Sequence, residues 1–235
     1  MNKKLVIPGD FLSDDVSKAG DGTYLQDRKV YSNLYGVASE KDKIRVVSLS
    51  GKYIPSSGDV IIGTVKSVTF SNWILDVNSP YEGWLNSSEY PRRIDSSDMS
   101  KYLTVGDSVM VMVKDLTPSM KIDLTMRNNR SRPINNGVLM EISPVKVPRM
   151  IGRGGSMISM LKKETNCNIF VGQNGIIWLT GKDKDIEKAV NAIHIIENEA
   201  HKQGLTERID RLLKERVEET KAVPQSPDIL NELLD

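Results

Sequence analysis

The chain has 235 residues, a mass of 26.3 kDa and a formal net charge of +1. This length suffices for one large domain or two to three small ones, and the aromatic content of 6% favours several small domains. The balanced charge argues against a protein that coats nucleic acid non-specifically. The single cysteine, Cys167, excludes an intrachain disulfide and a multi-cysteine zinc site, and no apolar stretch approaches the roughly 20 residues that cross a bilayer. We therefore expect a cytoplasmic protein with no membrane segment.

The first segment, residues 1–57, predicts a small N-terminal β domain. Apolar and polar residues alternate over 29–37 and 44–49, and the polar stretch 39–43 between them favours a turn. We interpret residues 1–12 as a strand, because they contain a Pro-Gly-Asp turn and lack the small-residue cleavage site of a signal peptide. A segment of this size has little core of its own, so we expect it to pack on a partner.

The second segment, residues 58–130, predicts a barrel of short strands. Five runs have strand character: 59–68, 73–77, 83–86, 106–113 and 121–126. Five short strands suit a small closed barrel, and Gly63 would permit the strong coiling that such a barrel needs. The polar stretches 54–59 and 127–137 are interpreted as linkers on either side of it.

The third segment, residues 131–204, contains both strand and helix patterns. Strands are predicted at 138–142, 168–171 and 176–180, with two helices after the first strand and one after the last. Beyond it, residues 205–235 predict an amphipathic helix and a frayed tail. The apolar stripe of this helix comprises Leu205, Ile209, Leu212, Leu213 and Val217.

A glycine-rich corner, Gly152-Arg153-Gly154-Gly155, connects the first two of these helices. Glycines have no Cβ, so a sugar-phosphate chain can approach the backbone closely, and the N–H groups that begin the second helix suit a phosphate. The basic candidates around the corner are Lys146, Arg149, Arg153 and Lys162. This is the KH pattern, whose Gly-x-x-Gly loop holds about four nucleotides of single-stranded RNA. A purely structural turn between two helices is the alternative.

The barrel segment resembles the S1-type RNA-binding OB fold over 63–68, 73–77 and 82–89. In that family aromatic side chains stack on bases, so the resemblance implies this role for Trp73 and, in the loop before it, for Phe70. Asn86 stands where the family often has a histidine. Ordinary packing inside the barrel is the alternative for both aromatic residues. Phosphate contacts are expected from Lys66, Arg92 and Arg93, with a merely solvated role as the alternative for the two arginines.

The order of the three segments, over residues 1–204, resembles the family of RNA-binding cap subunits of the archaeal exosome (ribosomal RNA processing protein four). The most specific marks are Val6-Ile7-Pro8-Gly9-Asp10, Asn72-Trp73 and the glycine corner. The implied fold is multidomain, mostly β and then α/β: an N-terminal β domain, an S1-type OB barrel, a type I KH domain of order βααββα and a C-terminal helix.

The same resemblance implies a non-catalytic subunit that captures single-stranded RNA 3′ ends. Its N-terminal domain would dock on a hexameric ring of RNase PH-like subunits, which carries out phosphorolysis. The implied cap is a trimer, formed by this chain, by a related zinc-ribbon cap protein, or by both.

No residue pattern in the sequence predicts catalysis, a metal site or a cofactor. His194 and His201 share a helix face without a third ligand, and Cys167 has no general base near it in sequence, so a buried structural thiol is expected. Two further hypotheses stay open at this stage. One is a free S1/KH RNA-binding factor in translation or ribosome maturation, and the other is a phosphorolytic nuclease in its own right.

Overall fold

The computed structural model describes residues 3–40, 42–94, 98–117, 121–200 and 204–221. They form two compact units. The first holds the described residues up to Asn135, together with Glu141–Val147 and Gly172–Ile176. The second holds Asn136–Met140, Pro148–Val171 and the described residues from Ile177 onward. None of the described helices is long and apolar enough to span a membrane.

Six short strands build the N-terminal part of the first unit. They are β1 (Lys3–Val6), β2 (Phe11–Ser13), β3 (Thr23–Gln26), β4 (Lys29–Ser32), β5 (Gly36–Glu40) and β6 (Ile44–Ser48). One antiparallel sheet has the order β1-β5-β6 and the other β2-β4-β3. Val6, Ala38 and Val46 are buried on one face of the first sheet and form a small core with Leu12 and Leu34. The N-terminal β domain expected from the sequence is therefore present.

Two strand predictions in this part were too long. The run 29–37 is two strands in different sheets, because the chain turns at Asn33–Tyr35, where the Ser32 hydroxyl donates to the Leu34 carbonyl at 2.7 Å. Residues 1–12 likewise contain β1 and the beginning of β2. Gly9 has a φ of 92° in the turn between them. Alternation alone marks extended chain and does not show where it folds back.

The rest of the first unit is dominated by a barrel. Its elements are β7 (Val60–Val68), β8 (Asn72–Asp76), β9 (Gly83–Asn86), the short helix α1 (Met99–Tyr102), β10 (Ser108–Leu116), β11 (Ile122–Thr125) and β12 (Arg132–Ile134). The sheet runs β11-β9-β8-β7-β10, and a further pairing of β11 with β10 closes it. The β9–β11 pair is parallel and the others are antiparallel. This confirms the closed five-stranded OB barrel.

Alternation along the strands fills the barrel interior. In β8, Trp73 and Leu75 are fully buried while Asp76 is exposed. Gly63 is needed because the barrel has no room for a side chain at this position. A Cβ there would lie 2.9 Å from Leu75 Cδ2 and 3.1 Å from Val77 Cγ1.

Both stretches interpreted as linkers take part in the barrel. The Tyr53 ring is in the barrel core, and its hydroxyl donates to Asp59 Oδ2 at 2.6 Å across the predicted linker 54–59. Within 127–137, strand β12 pairs with β10. Polar composition identified these stretches as loops, but it carried no information about their hydrogen bonds to the sheet.

From residue 138 onward, the described residues form three strands and four α-helices. They are β13 (Val138–Glu141), α2 (Val147–Ile151), α3 (Ser156–Thr165), β14 (Asn168–Val171), β15 (Ile176–Thr180), α4 (Asp183–Asn198) and α5 (Leu205–Lys221). The sheet order β13-β15-β14 and the element order βααββα confirm the type I KH fold.

The C-terminal helix α5 packs through the stripe that the sequence indicated. Leu205, Ile209 and Leu213 are buried, and Lys214 donates to Asp210 at 2.6 Å one turn away. The side chain of Val217 and the predicted frayed tail lie outside the described residues.

Candidate nucleic-acid interface

The glycine corner contains three glycines in a left-handed backbone conformation. Gly152, Gly154 and Gly155 have φ values of 78°, 59° and 79°, the left-handed region that favours glycine. A Cβ on Gly152 would lie 2.8 Å from both the backbone nitrogen and the Cβ of Met157, so this position also needs the missing side chain for space. No atom lies within 4 Å of a Cβ placed on Gly154. The corner is therefore tight on its inner side and open on its outer side.

The open side of the corner presents groups that attract an anion. Gly155 is the N-cap of α3 and has no side chain with which to cap the first turn, and that turn holds no acidic residue. Arg153 and Gly154 are exposed beside it. The N–H groups in the first turn of a helix together with a guanidinium can hold a phosphate.

The other basic candidates of the KH segment lie on elements outside the corner itself. Lys162 is in the last turn of α3, about 9 Å along the helix axis from Ser156 at 1.5 Å per residue. Arg149 is half-buried in α2. Lys146 ends a 3-10 turn that belongs to the first compact unit. The role of these three residues in phosphate binding stays a prediction.

Trp73 is wrong as a base-stacking residue. Its side chain is 0% exposed in the barrel core, and its Nε1 donates to the Leu103 carbonyl at 3.1 Å. The register explains this position, because Trp73 pairs with the buried Leu85 of β9 and alternation directs both inward. The packing alternative is the correct one here.

The remaining barrel candidates are at the surface. Phe70 is 80% exposed in the loop between β7 and β8. Arg92 and Arg93 are exposed after β9. The Lys66 ammonium lies 3.5 Å from Glu82 Oε1, so part of its charge is already balanced.

Trp84 is an aromatic surface residue that the sequence analysis missed. It is half-buried on β9 between the buried Gly83 and Leu85, so it points away from the core. The Lys121 ammonium lies 4.1 Å from the centroid of its ring. The alternation of β9 contained this signal, but the resemblance directed attention to the strand before it.

Comparisons with known proteins match all three segments. A family model described as the exosome complex exonuclease RRP4 N-terminal region matches residues 5–39. Another, described as the RRP4 S1 domain, matches residues 52–115, and a KH domain model matches residues 137–185. Each of the three expected modules is thereby identified in the expected order.

Relatives match this chain over most of its length. The exosome complex component Rrp4 of Methanosarcina mazei is 57% identical over 226 residues, which cover 95% of this chain and 87% of the relative. The chain belongs to the Rrp4 family of exosome components. The Rrp4 of Pyrococcus abyssi is 41% identical over 227 residues, covering 94% of this chain and 86% of the relative.

A solved structure agrees with this membership of the Rrp4 family. A crystal structure described provisionally as an exosome complex RNA-binding protein superposes with a TM-score of 0.67 at 38% identity, over 72% of this chain and 99% of that one. The chain is thus an exosome component with S1 and KH RNA-binding domains, and the free translation or ribosome-maturation factor is set aside.

Other groups of this Rrp4-family chain that could do chemistry are few and separate. Among the described residues, no three His, Cys, Asp or Glu side chains are grouped as metal ligands. Cys167 is buried, as expected, and burial raises the pKa of its thiol. His194 is exposed on α4, and His201 lies outside the described residues.

Proposed function

We propose that this chain is the non-catalytic RNA-binding subunit of a phosphorolytic exosome. It captures single-stranded 3′ ends and delivers them to a hexameric ring of RNase PH-like subunits, where the bonds are broken. The observation that carries this proposal is the glycine corner, where Arg153 and Gly154 are exposed immediately before the first turn of α3. Phosphates of an unpaired strand are bound there without any side chain that reacts with them.

The proposal includes docking on the ring through the N-terminal domain, residues 1–57. Leu5, Val37 and Val47 pair across β1, β5 and β6 and form one row on the face opposite the small core. Leu5 is 58% exposed and Val47 is 63% exposed. An exposed apolar row on a sheet is typical of a protein interface, and its burial would stabilise a domain with so small a core.

The weak net charge fits a multivalent cap. We propose a cytoplasmic assembly in which three cap subunits, from this chain or from a related zinc-ribbon cap protein, surround the entrance of the ring. Several modest RNA-binding surfaces then act together through effective concentration, so none needs strong positive charge.

The proposal that the chain binds RNA while the ring breaks the bonds is tested by incubating the purified full chain with inorganic phosphate and labelled single-stranded RNA. The chain alone should leave the RNA intact, and the same mixture with the ring subunits should release nucleoside diphosphates. Release of nucleoside diphosphates by the chain alone would make it a nuclease and end the proposal.

Docking is tested by co-purification of tagged ring subunits with the full chain. Val47→Asp should reduce the amount of bound chain at least tenfold, because it places a charge in the apolar row. Val105→Asp is the matched control, since Val105 is 64% exposed on the barrel part of the chain. Equal retention of both variants would exclude this row as the docking surface.

A further inference from the structure

The dipeptide Asn-Gly occurs twice in the chain, as Asn136-Gly137 and as Asn174-Gly175. In this dipeptide the backbone nitrogen of the glycine can reach the amide carbon of the asparagine side chain, because glycine has no Cβ that keeps the two apart. The reaction between them needs no enzyme and converts the amide to a carboxylate. It requires an asparagine side chain that is free to turn towards the backbone, so the surroundings of each asparagine decide whether it reacts.

Asn174 is held in place by the barrel strands. The residue is 0% exposed. Its Nδ2 donates to the carbonyls of Ile62 at 2.7 Å and Val77 at 2.9 Å, and its Oδ1 accepts from the Ile62 N–H at 3.4 Å. The amide carbon can therefore meet the Gly175 nitrogen only when these hydrogen bonds open, and buried segments open rarely.

Asn136 has the opposite surroundings. Asn136 and Gly137 are both exposed in the bend between β12 and β13. Among the hydrogen bonds of the described residues, none involves the Asn136 side chain, whereas its backbone carbonyl accepts from Trp178 Nε1 at 2.6 Å. Solvent reaches the Asn136 amide, and rotation of this side chain breaks none of these hydrogen bonds.

Gly137 cannot be exchanged for a residue that would protect Asn136. Its φ of 105° lies in the region that favours glycine. A Cβ at this position would collide with the Leu179 carbonyl oxygen and lie 2.6 Å from Thr180 Cγ2. The packing of this bend against β15 thus requires the same glycine that leaves the Asn136 amide open to attack.

We propose that Asn136 is a site of spontaneous deamidation. The backbone nitrogen of Gly137 attacks Cγ of Asn136, the Cγ–Nδ2 bond breaks, and the leaving amino group takes the Gly137 proton and departs as ammonia. Water then opens the resulting succinimide ring at either of its C–N bonds. Opening at Cγ gives aspartate. Opening at the backbone carbonyl carbon gives isoaspartate, whose main chain runs through Cβ and Cγ.

The two products affect the KH domain differently. Both add a negative charge to the exposed bend. Isoaspartate also lengthens the main chain by one carbon atom before Gly137, and the carbonyl that accepts from Trp178 becomes part of a free carboxylate. Because Gly137 fits closely against Leu179 and Thr180, the added atom should displace the beginning of β13 and destabilise the sheet, whereas aspartate should not.

The test follows deamidation of the folded full chain at mildly alkaline pH, where the attacking nitrogen loses its proton more readily. Trypsin places the two asparagines in different peptides, 131–146 and 164–182, and fragment masses locate the replacement of an amino group by a hydroxyl group. Asn136 should convert at least tenfold faster than Asn174 in the same sample. An enzyme that methylates isoaspartyl carboxylates should label peptide 131–146.

Controls separate the effect of the fold from that of the dipeptide. In urea both asparagines should convert at similar rates, because unfolding exposes Asn174 as well. In Asn136→Gln, peptide 131–146 should stay unchanged, since the longer side chain forms the ring far more slowly. The deamidated fraction of the wild-type chain, separated by anion exchange, should melt at a lower temperature than Asn136→Asp, which carries the same charge on an ordinary main chain.

Three outcomes overturn this inference. Equal rates at Asn136 and Asn174 in the folded chain would mean that burial and hydrogen bonding do not control the reaction. Conversion of Asn136 in urea but not in the folded chain would mean that the bend holds its backbone away from the reactive geometry. A deamidated fraction as stable as Asn136→Asp would exclude the effect on β13. All three leave the proposed function intact, because the reaction needs neither RNA nor the ring.

Discussion

The KH segment contains two loops with the same Gly-x-x-Gly spacing, Gly152–Gly155 and Gly172–Gly175, and their environments are opposite. In the first, Arg153 and Gly154 are exposed, and a Cβ on Gly154 would meet nothing within 4 Å. In the second, Asn174 is 0% exposed, and its Nδ2 donates to the carbonyls of Ile62 at 2.7 Å and Val77 at 2.9 Å. One loop is open to a ligand, and the other is filled by the protein.

The element that follows each loop accounts for this difference. The first loop leads into α3, whose initial N–H groups have no partners within the helix and can bind an anion. The second leads into strand β15, where the sheet uses the backbone groups. The closing bond is common to both turns, since the Gly155 N–H donates to the Gly152 carbonyl at 3.2 Å and the Gly175 N–H to the Gly172 carbonyl at 3.1 Å. Glycine spacing alone therefore predicts a turn, and the helix that follows the first turn is what makes it a candidate phosphate site.

The largest expected effect comes from the closed loop. Asn174→Ala leaves the Ile62 and Val77 carbonyls buried without their donor, which should lower the free energy of unfolding by about 2–4 kcal/mol. Urea denaturation measures this change. Gln173→Ala is the control, because its side chain is exposed and should change stability by less than about 0.5 kcal/mol. Equal losses of stability in the two variants would mean that the hydrogen bonds of Asn174 do not stabilise the loop.

The inner side of the open loop should be the next most sensitive position. Gly152→Ala combines a φ of 78° with a Cβ only 2.8 Å from the Met157 backbone nitrogen, so we expect a loss of about 2–3 kcal/mol. Gly154→Asn should cost less than about 1 kcal/mol, because asparagine tolerates the left-handed region and the space is open. Thermal denaturation of both variants shows whether the loop has the tight and open sides described here.

Charge on the open loop should affect binding rather than stability. Arg153→Glu should weaken the affinity for single-stranded RNA about tenfold, equivalent to about 1.4 kcal/mol, and leave the melting temperature unchanged because the side chain is exposed. Arg153→Gln should have a smaller effect in the same direction. Fluorescence anisotropy with a labelled oligonucleotide measures both. Wild-type affinity in Arg153→Glu would assign the open loop to structure alone.

The smallest expected effect is a pH dependence on the barrel. The Lys114 ammonium and the Thr125 hydroxyl hold the pKa of Glu89 below its ordinary value. The ion pair therefore contributes its full stability above the ordinary glutamate pKa of about 4.3, and this contribution is lost as the pH falls through the lower folded-state pKa. Glu89→Gln should be less stable than wild type by about 1 kcal/mol or less at pH 7, and the difference should vanish in acid. A difference that persists at low pH would have another origin.

Much of this architecture can be predicted from the sequence, because hydrophobic periodicity and the positions of glycines determine local structure. The element order 138–180, the closed barrel and the glycine corner all follow from such signals. The division of 29–37 into two sheets does not, because it depends on pairing with strands that are distant in sequence. Nor does the burial of Trp73, because alternation separates the two faces of β8 and only the closure of the barrel decides which face is inside.

The central claim is that this chain supplies RNA affinity to a ring that performs the chemistry. It is tested most directly by the equilibrium affinity of the assembled ring for labelled single-stranded RNA, with and without the bound chain. The account predicts that the chain raises this affinity at least tenfold and that the gain falls as salt rises, because phosphate contacts release counterions. An identical affinity with and without the chain, in a complex shown to contain it, would contradict the account.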